Sequence, residues 1–282
     1  MIVPTRDRPT AMGRCLDALA RCTPPPGGFE VVVAAASPEA CPDAGGRGIS
    51  VRVLDGPDRG RPDARNQAVA ASRGRLLAFT DDDCVPDEAW LVELVTALGR
   101  RPDALAGGRI VNGLPRNTWA EAAQVALNVA YEHFERNPGD RAAFFGTNNL
   151  AMARATFDAV GGFDEALVHA AEDRDLCDRM RRSGHPLVHA PRAVVVHEHD
   201  LSLRGLVRQQ ASYGRGGATL RRQRAAQGLP PLVISPGFFG ALLGEPLRRR
   251  RPGLLAAVVF SQVAYAGGML REEWALRRSG RA

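Results

Sequence analysis

The chain has 282 residues and a formal net charge of +6, with 45% hydrophobic and 24% charged residues. This composition excludes a disordered chain, and the length allows one large domain or one domain with an appendage. The positive charge favours acidic partners such as nucleotides, nucleic acids or anionic lipid. However, the arginines concentrate in 204–224 and 247–251, and no recognised nucleic-acid-binding motif is present. We therefore expect a local basic surface and no nucleic-acid partner.

The cysteines indicate a reducing compartment. There are five, an odd number, and no two form a C-x-x-C pair. They are therefore interpreted as reduced thiols of a cytosolic protein. Charged residues 6–8 follow the start of the chain almost at once, so no secretory signal peptide is predicted. We expect a cytoplasmic protein, with peripheral contact at the inner face of the cell membrane as a further option.

The first part of the chain alternates short apolar runs with helical patterns. Strands are predicted at 1–5, 29–34, 49–54 and 75–80, and helices at 9–20, 63–72 and 86–98. This alternation favours βαβ units and a parallel sheet covered on both faces. Ligands of such sheets bind beyond the carboxyl ends of the strands.

From about residue 112 the pattern changes. Helices are predicted at 118–136, 154–160 and 172–182, and strands at 144–152, 187–190 and 193–197. The helix at 118–136 has an apolar face of Trp119, Ala123, Leu127, Ala130 and Phe134. Beyond 200 the chain is predicted to form arginine-rich helices. We therefore divide the chain into 1–110, 111–203 and 204–282.

An uncharged segment lies near the carboxyl terminus, at 253–270. Its 18 residues are the lower limit for a membrane span. It is rich in alanine and glycine, contains Gln262, and has arginines on both sides. An interfacial helix, or a helix packed on the rest of the protein, is favoured over a spanning one. We predict peripheral membrane contact through 247–275.

The acidic triplet Asp81-Asp82-Asp83 is the strongest chemical signal. It follows a wholly apolar predicted strand. On extended backbone, side chains at i and i+2 point to one side, so Asp81 and Asp83 would face one ligand. Paired carboxylates suit hard cations such as Mg²⁺ or Mn²⁺ that also bind phosphate. The alternative is a solvated acidic turn.

Three weaker signals follow. Glu172 and Asp173 open a helix, where acidic residues either complement the helix dipole or supply a catalytic base. His197 ends a predicted strand, where it would bind metal or phosphate or be structural. Arg65 and Asn66 follow a loop at 56–61 rich in glycine and arginine, a plausible diphosphate contact.

In chain order, these segments resemble the family 2 glycosyltransferases of the GT-A fold. The matching segments are 2–8, 64–66 (A-R-N), 77–86 (strand plus D-x-D), 161–165 (G-G-F-D-E) and 172–176 (E-D-x-D-L), followed by Gly184, Pro191 and His197. The resemblance covers about residues 1–215. Each motif is short, but the ordered set is specific.

The resemblance implies an α/β GT-A fold, with a Rossmann-like, mostly parallel sheet flanked by helices and a C-terminal helical extension. The first part, 1–110, would bind the nucleotide-sugar donor. The second, 111–203, would bind the acceptor and carry the catalytic base. A hexosyl or deoxyhexosyl group would move to an acceptor hydroxyl with inversion. The acceptor would be a saccharide, a lipid-linked sugar or a small molecule.

The resemblance also implies residue roles. Asp173 would be the general base, with Glu172 orienting it or binding acceptor. The metal, Mg²⁺ or Mn²⁺, would be held by Asp81, Asp83 and His197. The donor would contact Pro4, Thr5, Arg6, Arg65, Asn66, Asp81 and Asp82. The acceptor side would include Gly146, Asn148 and Gly162.

One segment departs from the family's pattern. The family usually ends its second strand with an acidic residue that contacts the nucleotide base, whereas this chain has Ala34-Ala35-Ala36-Ser37. The base would therefore be contacted differently. The departure also leaves a second hypothesis, a catalytically degenerate nucleotide-binding or membrane-associated scaffold of the same fold. A nucleotidyltransferase is disfavoured because the loop at 5–9 has no glycine.

Overall fold

A computed structural model describes residues 1–41, 46–55, 59–136, 143–232 and 236–279. By their contacts, the residues fall into two compact units. The first unit comprises Met1–Val111, Phe145–Glu165 and Leu176–Glu198, and the second comprises Asn112–Phe144, Ala166–Asp175 and His199–Ala282. Part of the glycine- and arginine-rich loop, 56–58, lies outside the described residues.

Eight strands and nine α-helices are assigned within these described ranges. The strands are β1 (Ile2–Thr5), β2 (Glu30–Ala35), β3 (Ser50–Asp55), β4 (Leu76–Phe79), β5 (Cys84–Pro86), β6 (Leu105–Asn112), β7 (Leu150–Ala153) and β8 (Leu187–His197). The helices are α1 (Pro9–Arg21), α2 (Arg61–Ala71), α3 (Trp90–Arg100), α4 (Thr118–Arg136), α5 (Arg154–Ala159), α6 (Glu172–Arg182), α7 (Leu203–Ala226), α8 (Pro236–Arg248) and α9 (Pro252–Ser279).

The strands form one sheet in the order β3-β2-β1-β4-β7-β6-β8-β5. The strands β3, β2, β1 and β4 are parallel neighbours, as the predicted βαβ units require. Strand β7 runs antiparallel to both β4 and β6, and β5 runs antiparallel to β8. The predicted α/β class is therefore confirmed, with the parallel pairs at one side of a mixed sheet.

The core of the first unit follows from the apolar pattern of its elements. The central residues of β2, Val31–Val33, are fully buried, as expected for a strand covered on both faces. Helix α1 buries Leu16 and Leu19 on its apolar stripe, and α3 contributes the fully buried Trp90. Each large apolar side chain removed from water stabilises the fold by about 1.5–3 kcal/mol.

Four predicted elements differ from the structure. The helix predicted from 86 begins at Trp90, because Cys84–Pro86 form β5 and the Asp87 carboxylate accepts the Ala89 N–H at 3.0 Å before the helix. The strand predicted at 144–152 begins only at Leu150, after a 3₁₀ turn at Thr147–Asn149. The two strands predicted at 187–190 and 193–197 are one strand, β8.

Strand β6 was not predicted, and two glycines explain why. A Cβ on Gly107 would lie 1.9 Å from the Phe145 ring, and one on Gly108 would lie 2.2 Å from the Ala193 carbonyl oxygen. Glycine weakens the strand signal in sequence, yet only glycine fits where another chain segment comes this close.

In the second unit, helices α4, α7, α8 and α9 pack on one another. Gly214 of α7 and Gly268 of α9 allow close contact, since a Cβ on either would lie about 2 Å from a backbone oxygen of the other helix (1.9 Å from Tyr265 and 2.1 Å from Ala211). Among the described residues, the helix at 252–278 has the length and composition to cross a membrane. Of its most apolar 18-residue stretch, 28% is buried. The side chain of Phe134, on the predicted apolar face of α4, lies outside the described residues.

Candidate active site

The acidic turn, Asp81–Asp83, follows β4 at its carboxyl end. The expectation that it is extended is wrong, because the Cys84 N–H bonds back to the Asp81 carbonyl at 3.1 Å and forms a turn. The expectation that Asp81 and Asp83 point to the same side of an extended segment therefore does not apply. The three carboxylates differ in burial and in the side chains that they contact. Asp82 is fully buried, Asp83 is nearly so, and the Asp81 side chain is partly exposed.

Arg8 bridges two of these carboxylates. Its guanidinium lies 2.6 Å from Asp82 Oδ1 and also contacts Asp83 Oδ2. Thr5 Oγ1 donates a hydrogen bond of 2.8 Å to Asp82 Oδ2. Burial raises the pKa of Asp82 to about 6, against the opposing charge of Arg8 and the hydrogen bond from Thr5. Arg8 was not predicted as a site residue. In the sequence it is marked only by lying within segment 2–8, which resembles the opening strand and loop of the family.

Strand pairing brings His197 to Asp83. Cys84 of β5 is in register with His197 of β8, and the Glu198 N–H donates to the Asp83 carbonyl at 2.8 Å. His197 Nε2 then lies 3.3 Å from Asp83 Oδ1. Burial alone would raise the pKa of the Asp83 carboxyl, but His197 and Arg8 outweigh it and hold that pKa below its usual range. Asp83 is therefore a carboxylate at neutral pH.

Asp81 is held by Arg65 of α2. The Arg65 side chain is fully buried, and its Nη2 donates to Asp81 Oδ1 at 2.8 Å. The guanidinium also lies over the Phe163 ring, 5.7 Å from its centroid. A charged group buried this completely is expected to be paired, and here the partner is the most exposed of the three aspartates.

The residues around Asp83 fit a hard divalent cation. Asp83, Cys84 and His197 each offer one ligand atom, and these atoms lie within 4.8 Å of one another. Burial, with added repulsion from Asp83 and Asp81, raises the pKa of the Cys84 thiol well above its ordinary value. Hard cations prefer oxygen ligands to sulfur, so the carboxylate and the imidazole of this group would suit Mn²⁺ or Mg²⁺ better than the thiol.

Asn66 holds the loop that contains Gly162. Its amide nitrogen donates to the Phe163 carbonyl and to the Glu165 carboxylate, both at 2.9 Å, and its oxygen accepts the Phe163 N–H at 3.0 Å. Gly162 has φ +67°, and a Cβ there would lie 3.1 Å from the Asn66 oxygen. The predicted donor residue Asn66 thus holds the loop in which the predicted acceptor-side residue Gly162 lies, through Phe163 and Glu165.

The segment at 146–149 contains two asparagines with different surroundings. The fully buried Asn149 amide accepts from Trp90 Nε1 at 2.8 Å and donates to the Arg109 and Ala193 carbonyls. The Gly146 carbonyl accepts the Asn149 N–H at 3.1 Å. For the neighbouring Asn148, the described residues offer no side-chain hydrogen bond. Asn149 is therefore structural, a role that the sequence did not signal.

The other predicted donor residues lie at the end of β1 or just after it. Pro4 is in register with Ala34 of β2, and Arg6 is exposed beyond the strand. At the end of β2, where the family's acidic residue is missing, Ala35 is in register with Asp55 of β3, whose side chain is exposed. A carboxylate therefore does stand at this end of the sheet, one strand further out.

Glu172 and Asp173 begin α6 in the second unit. Glu172 is buried, whereas Asp173 is partly exposed and accepts the Arg174 N–H at 2.7 Å. Ala171, just before them, has φ +74°, a left-handed conformation that is costly for a non-glycine residue.

Helix α7 supports the backbone before this pair. Ser212 Oγ donates to the His169 carbonyl at 2.9 Å. Gly216 approaches so closely that a Cβ would lie 2.2 Å from the Ala170 carbonyl oxygen. The left-handed residue is thus held by contacts within its own unit.

Comparison with known proteins bears on the family and the fold of this chain. The pre-mycofactocin glycosyltransferase of Mycobacterium tuberculosis is 30% identical over 277 residues, which cover 94% of this chain. The chain spans only 57% of that relative's length.

Two solved structures share the fold. One is the mannosyltransferase PcManGT of Pyrobaculum calidifontis in complex with GDP-Man and Mn²⁺, with a TM-score of 0.60 at 19% identity over 99% of this chain and 78% of that one. The other is GalNAc-T7 with UDP, GalNAc and Mn²⁺, with a TM-score of 0.53 at 15% identity over 83% of this chain and 52% of that one. These likenesses confirm the predicted GT-A fold.

The sequence family is shown by a family model. The model described as glycosyltransferase like family 2 matches residues 1–216, which include the acidic turn, the Glu172-Asp173 pair and His197. On this match, together with the similarity along nearly the whole chain to a curated glycosyltransferase, the chain belongs to glycosyltransferase family 2.

Proposed function

We propose that the protein transfers a hexosyl or deoxyhexosyl group from a nucleotide-diphosphate sugar to an acceptor hydroxyl, with inversion at the anomeric carbon. The acidic turn carries this proposal, since it places Asp83 against His197 beyond the carboxyl end of a parallel strand. The proposed parts are a donor-binding half at 1–110, an acceptor-binding and catalytic half at 111–203, and a helical extension at 204–282.

The donor would bind at the acidic turn and the residues around it. Asp81, Asp83 and His197 would hold Mn²⁺ or Mg²⁺, which when bound neutralises charge on the departing diphosphate. The two similar structures named above contain Mn²⁺ with a nucleotide or nucleotide sugar, which supports the proposal. The remaining donor contacts would come from the residues predicted for that role, Pro4, Thr5, Arg6, Arg65, Asn66 and Asp82.

Several of these residues would act by holding others in place. Arg65 fixes the Asp81 carboxylate, and Thr5 with Arg8 fixes Asp82. Asn66 fixes the loop at Gly162. A donor site prepared in this way has its charged groups oriented before the ligand arrives.

Asp173 would be the general base. In the proposed step, the acceptor oxygen forms a bond to the anomeric carbon while the bond from that carbon to the phosphate oxygen breaks. The hydroxyl proton passes to the Asp173 carboxylate, and the nucleoside diphosphate leaves with the electron pair. The partial exposure of Asp173 supports this role, as it lets the carboxylate meet an acceptor. Glu172 would orient it, and Gly146, Asn148 and Gly162 would contribute to the acceptor side.

The acceptor and location are proposed more broadly. The relative found above is named for pre-mycofactocin. For this chain, the proposed acceptor is a saccharide, a lipid-linked sugar or a small molecule. The protein would act in the cytoplasm, with peripheral membrane contact through 247–275.

The donor site is tested by thermal shift with UDP, GDP, dTDP and CDP, each with and without Mn²⁺. A ligand that binds only the folded state raises the melting temperature as it saturates the site. We expect one nucleotide to give a shift that requires Mn²⁺ and that disappears in Asp83→Ala.

The matched control is Asp103→Ala, an exposed aspartate paired only with Arg101 among the described contacts. It should keep the shift. An equal shift in Asp83→Ala and wild type, or no shift with any nucleotide, contradicts the proposed donor site and favours the degenerate scaffold.

A further inference from the structure

Helix α9 has one face that is firmly packed. Its buried residues recur every three or four positions, as in Leu254, Val258 and Ser261. Gly268 brings its backbone against α7, and Arg215 of α7 pairs with Glu272 at 2.7 Å. An ion pair and backbone contacts of this kind fix α9 on α7. A helix held in this way is not surrounded by lipid, although its length and composition would allow it to cross a membrane.

The opposite face of α9 is apolar and exposed. Phe260, Val263, Leu270 and Trp274 lie three, seven and four residues apart, on one side of the helix, and are between 54% and 67% exposed. Single exposed apolar residues are normal in soluble proteins, but a continuous apolar stripe marks an interaction surface. We call these four residues the outer face of α9.

Helix α8, which packs against α9, repeats this arrangement. Phe238, Leu242 and Pro246 are buried on one side. The next residue in each case, Phe239, Leu243 and Leu247, is exposed. The second unit therefore has two neighbouring helices, each with an unpacked apolar stripe.

Arginines accompany these stripes. Arg250 and Arg251 connect α8 to α9, and neither has an ion-pair partner within the part of the chain that the structure describes. At the other end, the exposed Arg271 and Arg278 follow the outer face, and the Arg278 guanidinium lies 3.9 Å from the centre of the Trp274 ring. The acidic residues of α9 face elsewhere, since Glu272 is buried against Arg215 and Glu273 pairs with Arg221. The exposed charge beside the stripes is therefore positive.

We infer that the exposed stripes of α8 and α9 form a docking surface for an anionic lipid membrane, with α9 lying along the interface, an inference that rests on the membrane contact proposed above and gives it a surface and a lipid charge. An apolar stripe bordered by arginine is the pattern of an interfacial helix, since the apolar side chains enter the acyl boundary while arginine binds lipid phosphate. A second copy of this chain fits less well, because its own arginines would face these across a symmetric contact. The 28 residues of α9 would lie along about 42 Å of membrane surface.

The test is co-sedimentation of the 282-residue chain with vesicles of phosphatidylcholine alone or of an equimolar mixture with phosphatidylglycerol. We expect binding to the anionic vesicles, and at least about tenfold less to the neutral ones. The variant Arg250→Glu/Arg251→Glu should lose this preference, and Phe260→Ser/Val263→Ser/Leu270→Ser should lose binding to both. Matched controls are Arg75→Glu and Leu76→Ser, exposed residues of the first unit, which should bind as wild type does.

Trp274 reports the depth of insertion. Its fluorescence should shift to the blue with anionic vesicles and be quenched by brominated acyl chains, and Trp274→Phe should lose this signal. Several outcomes would overturn the inference: equal binding of wild type and the triple serine variant, no binding to anionic vesicles, or a lipid-independent dimer that the serine variant abolishes. Protein that resists extraction from vesicles by alkaline carbonate would show a spanning helix instead.

Discussion

The two units reach a defined structure by different means. In the first, polar side chains are buried and matched: Arg65 meets Asp81, Arg8 meets Asp82 and Asp83, and Asn149 satisfies Trp90. In the second, helices α7 and α9 meet mainly through glycines, with one ion pair from Arg215 to Glu272, and apolar side chains remain outside. Polar groups inside a protein are costly unless paired, so these pairings are what allows the first unit to bury charged and amide side chains, including those of the proposed donor site. The second unit keeps the apolar stripes of α8 and α9 exposed, which the inferred membrane contact would cover.

The largest expected effect separates the two units by function. Asp173→Asn in the second unit should lower turnover by about 10²- to 10⁴-fold, because the amide no longer accepts the acceptor proton. Metal-dependent nucleotide binding, assigned here to the first unit, should be unchanged. Single-turnover kinetics beside the nucleotide thermal shift measures both.

Asp158→Asn, at an exposed position of α5, is the control and should retain turnover. If Asp173→Asn retains full turnover, Asp173 is not the base. If it also loses nucleotide binding, the proposed division between the units fails.

The next effect tests whether buried polar groups hold the first unit together. Asn149→Ala should lower the free energy of unfolding by about 3 kcal/mol, since Trp90 Nε1 and two backbone carbonyls lose their partner. Asn148→Ala, one residue earlier, should change stability little and should raise the KM for the acceptor.

Urea unfolding of both variants, followed by acceptor titration, makes the comparison. If the two variants unfold at the same urea concentration, the hydrogen bonds of Asn149 contribute nothing measurable to the free energy of unfolding.

The smallest effect concerns adjacent glycines of α9. Gly268→Ala should destabilise the second unit by about 1–3 kcal/mol, because the new methyl group would meet the Ala211 backbone. Gly267→Ala has no heavy atom within 4 Å of its new Cβ, and it should stabilise by up to about 1 kcal/mol through helix propensity.

Both substitutions raise the helix propensity of α9 by the same amount. The difference between their free energies of unfolding, measured in urea, therefore reports the contact between α9 and α7 alone. A loss of stability in Gly267→Ala similar to that in Gly268→Ala would show that the outer side of α9 is packed as well.

Much of this architecture follows from local sequence patterns. The alternation of apolar runs and helical stripes predicts the parallel strands and α1, α2 and α4, because the spacing of apolar residues within each element is typical of a strand or of a helix. The acidic turn, the Glu172-Asp173 pair and His197 could be proposed as site residues because they match short segments of the family, in the family's order. The helices that carry the C-terminal extension were also expected from composition.

The remainder depends on contacts between distant residues. Strand β6 contains Gly107 and Gly108. A side chain at either position would clash with Phe145 or Ala193, which lie far away in the sequence. The bridge from Arg8 to Asp82 and Asp83 spans more than 70 residues of chain. Such long-range features are set by tertiary packing, which overrides local preference. The turn from Asp81 to Cys84 is different, because it joins residues only three apart. Aspartate is a common turn residue, so the sequence itself allowed this turn, and the expectation of extended backbone was wrong for a local reason.

The pairing of β5 with β8 has a consequence for how this chain can vary in length. His197 reaches Asp83 because Cys84 is opposite His197 in the ladder. A residue type can change on either strand without altering that alignment, but one inserted or deleted residue would turn the histidine to the other face of the sheet. Among relatives that keep the same chemistry, the spacing from the acidic turn to Pro86 should therefore be constant. Length differences should instead collect in connections that carry no such alignment.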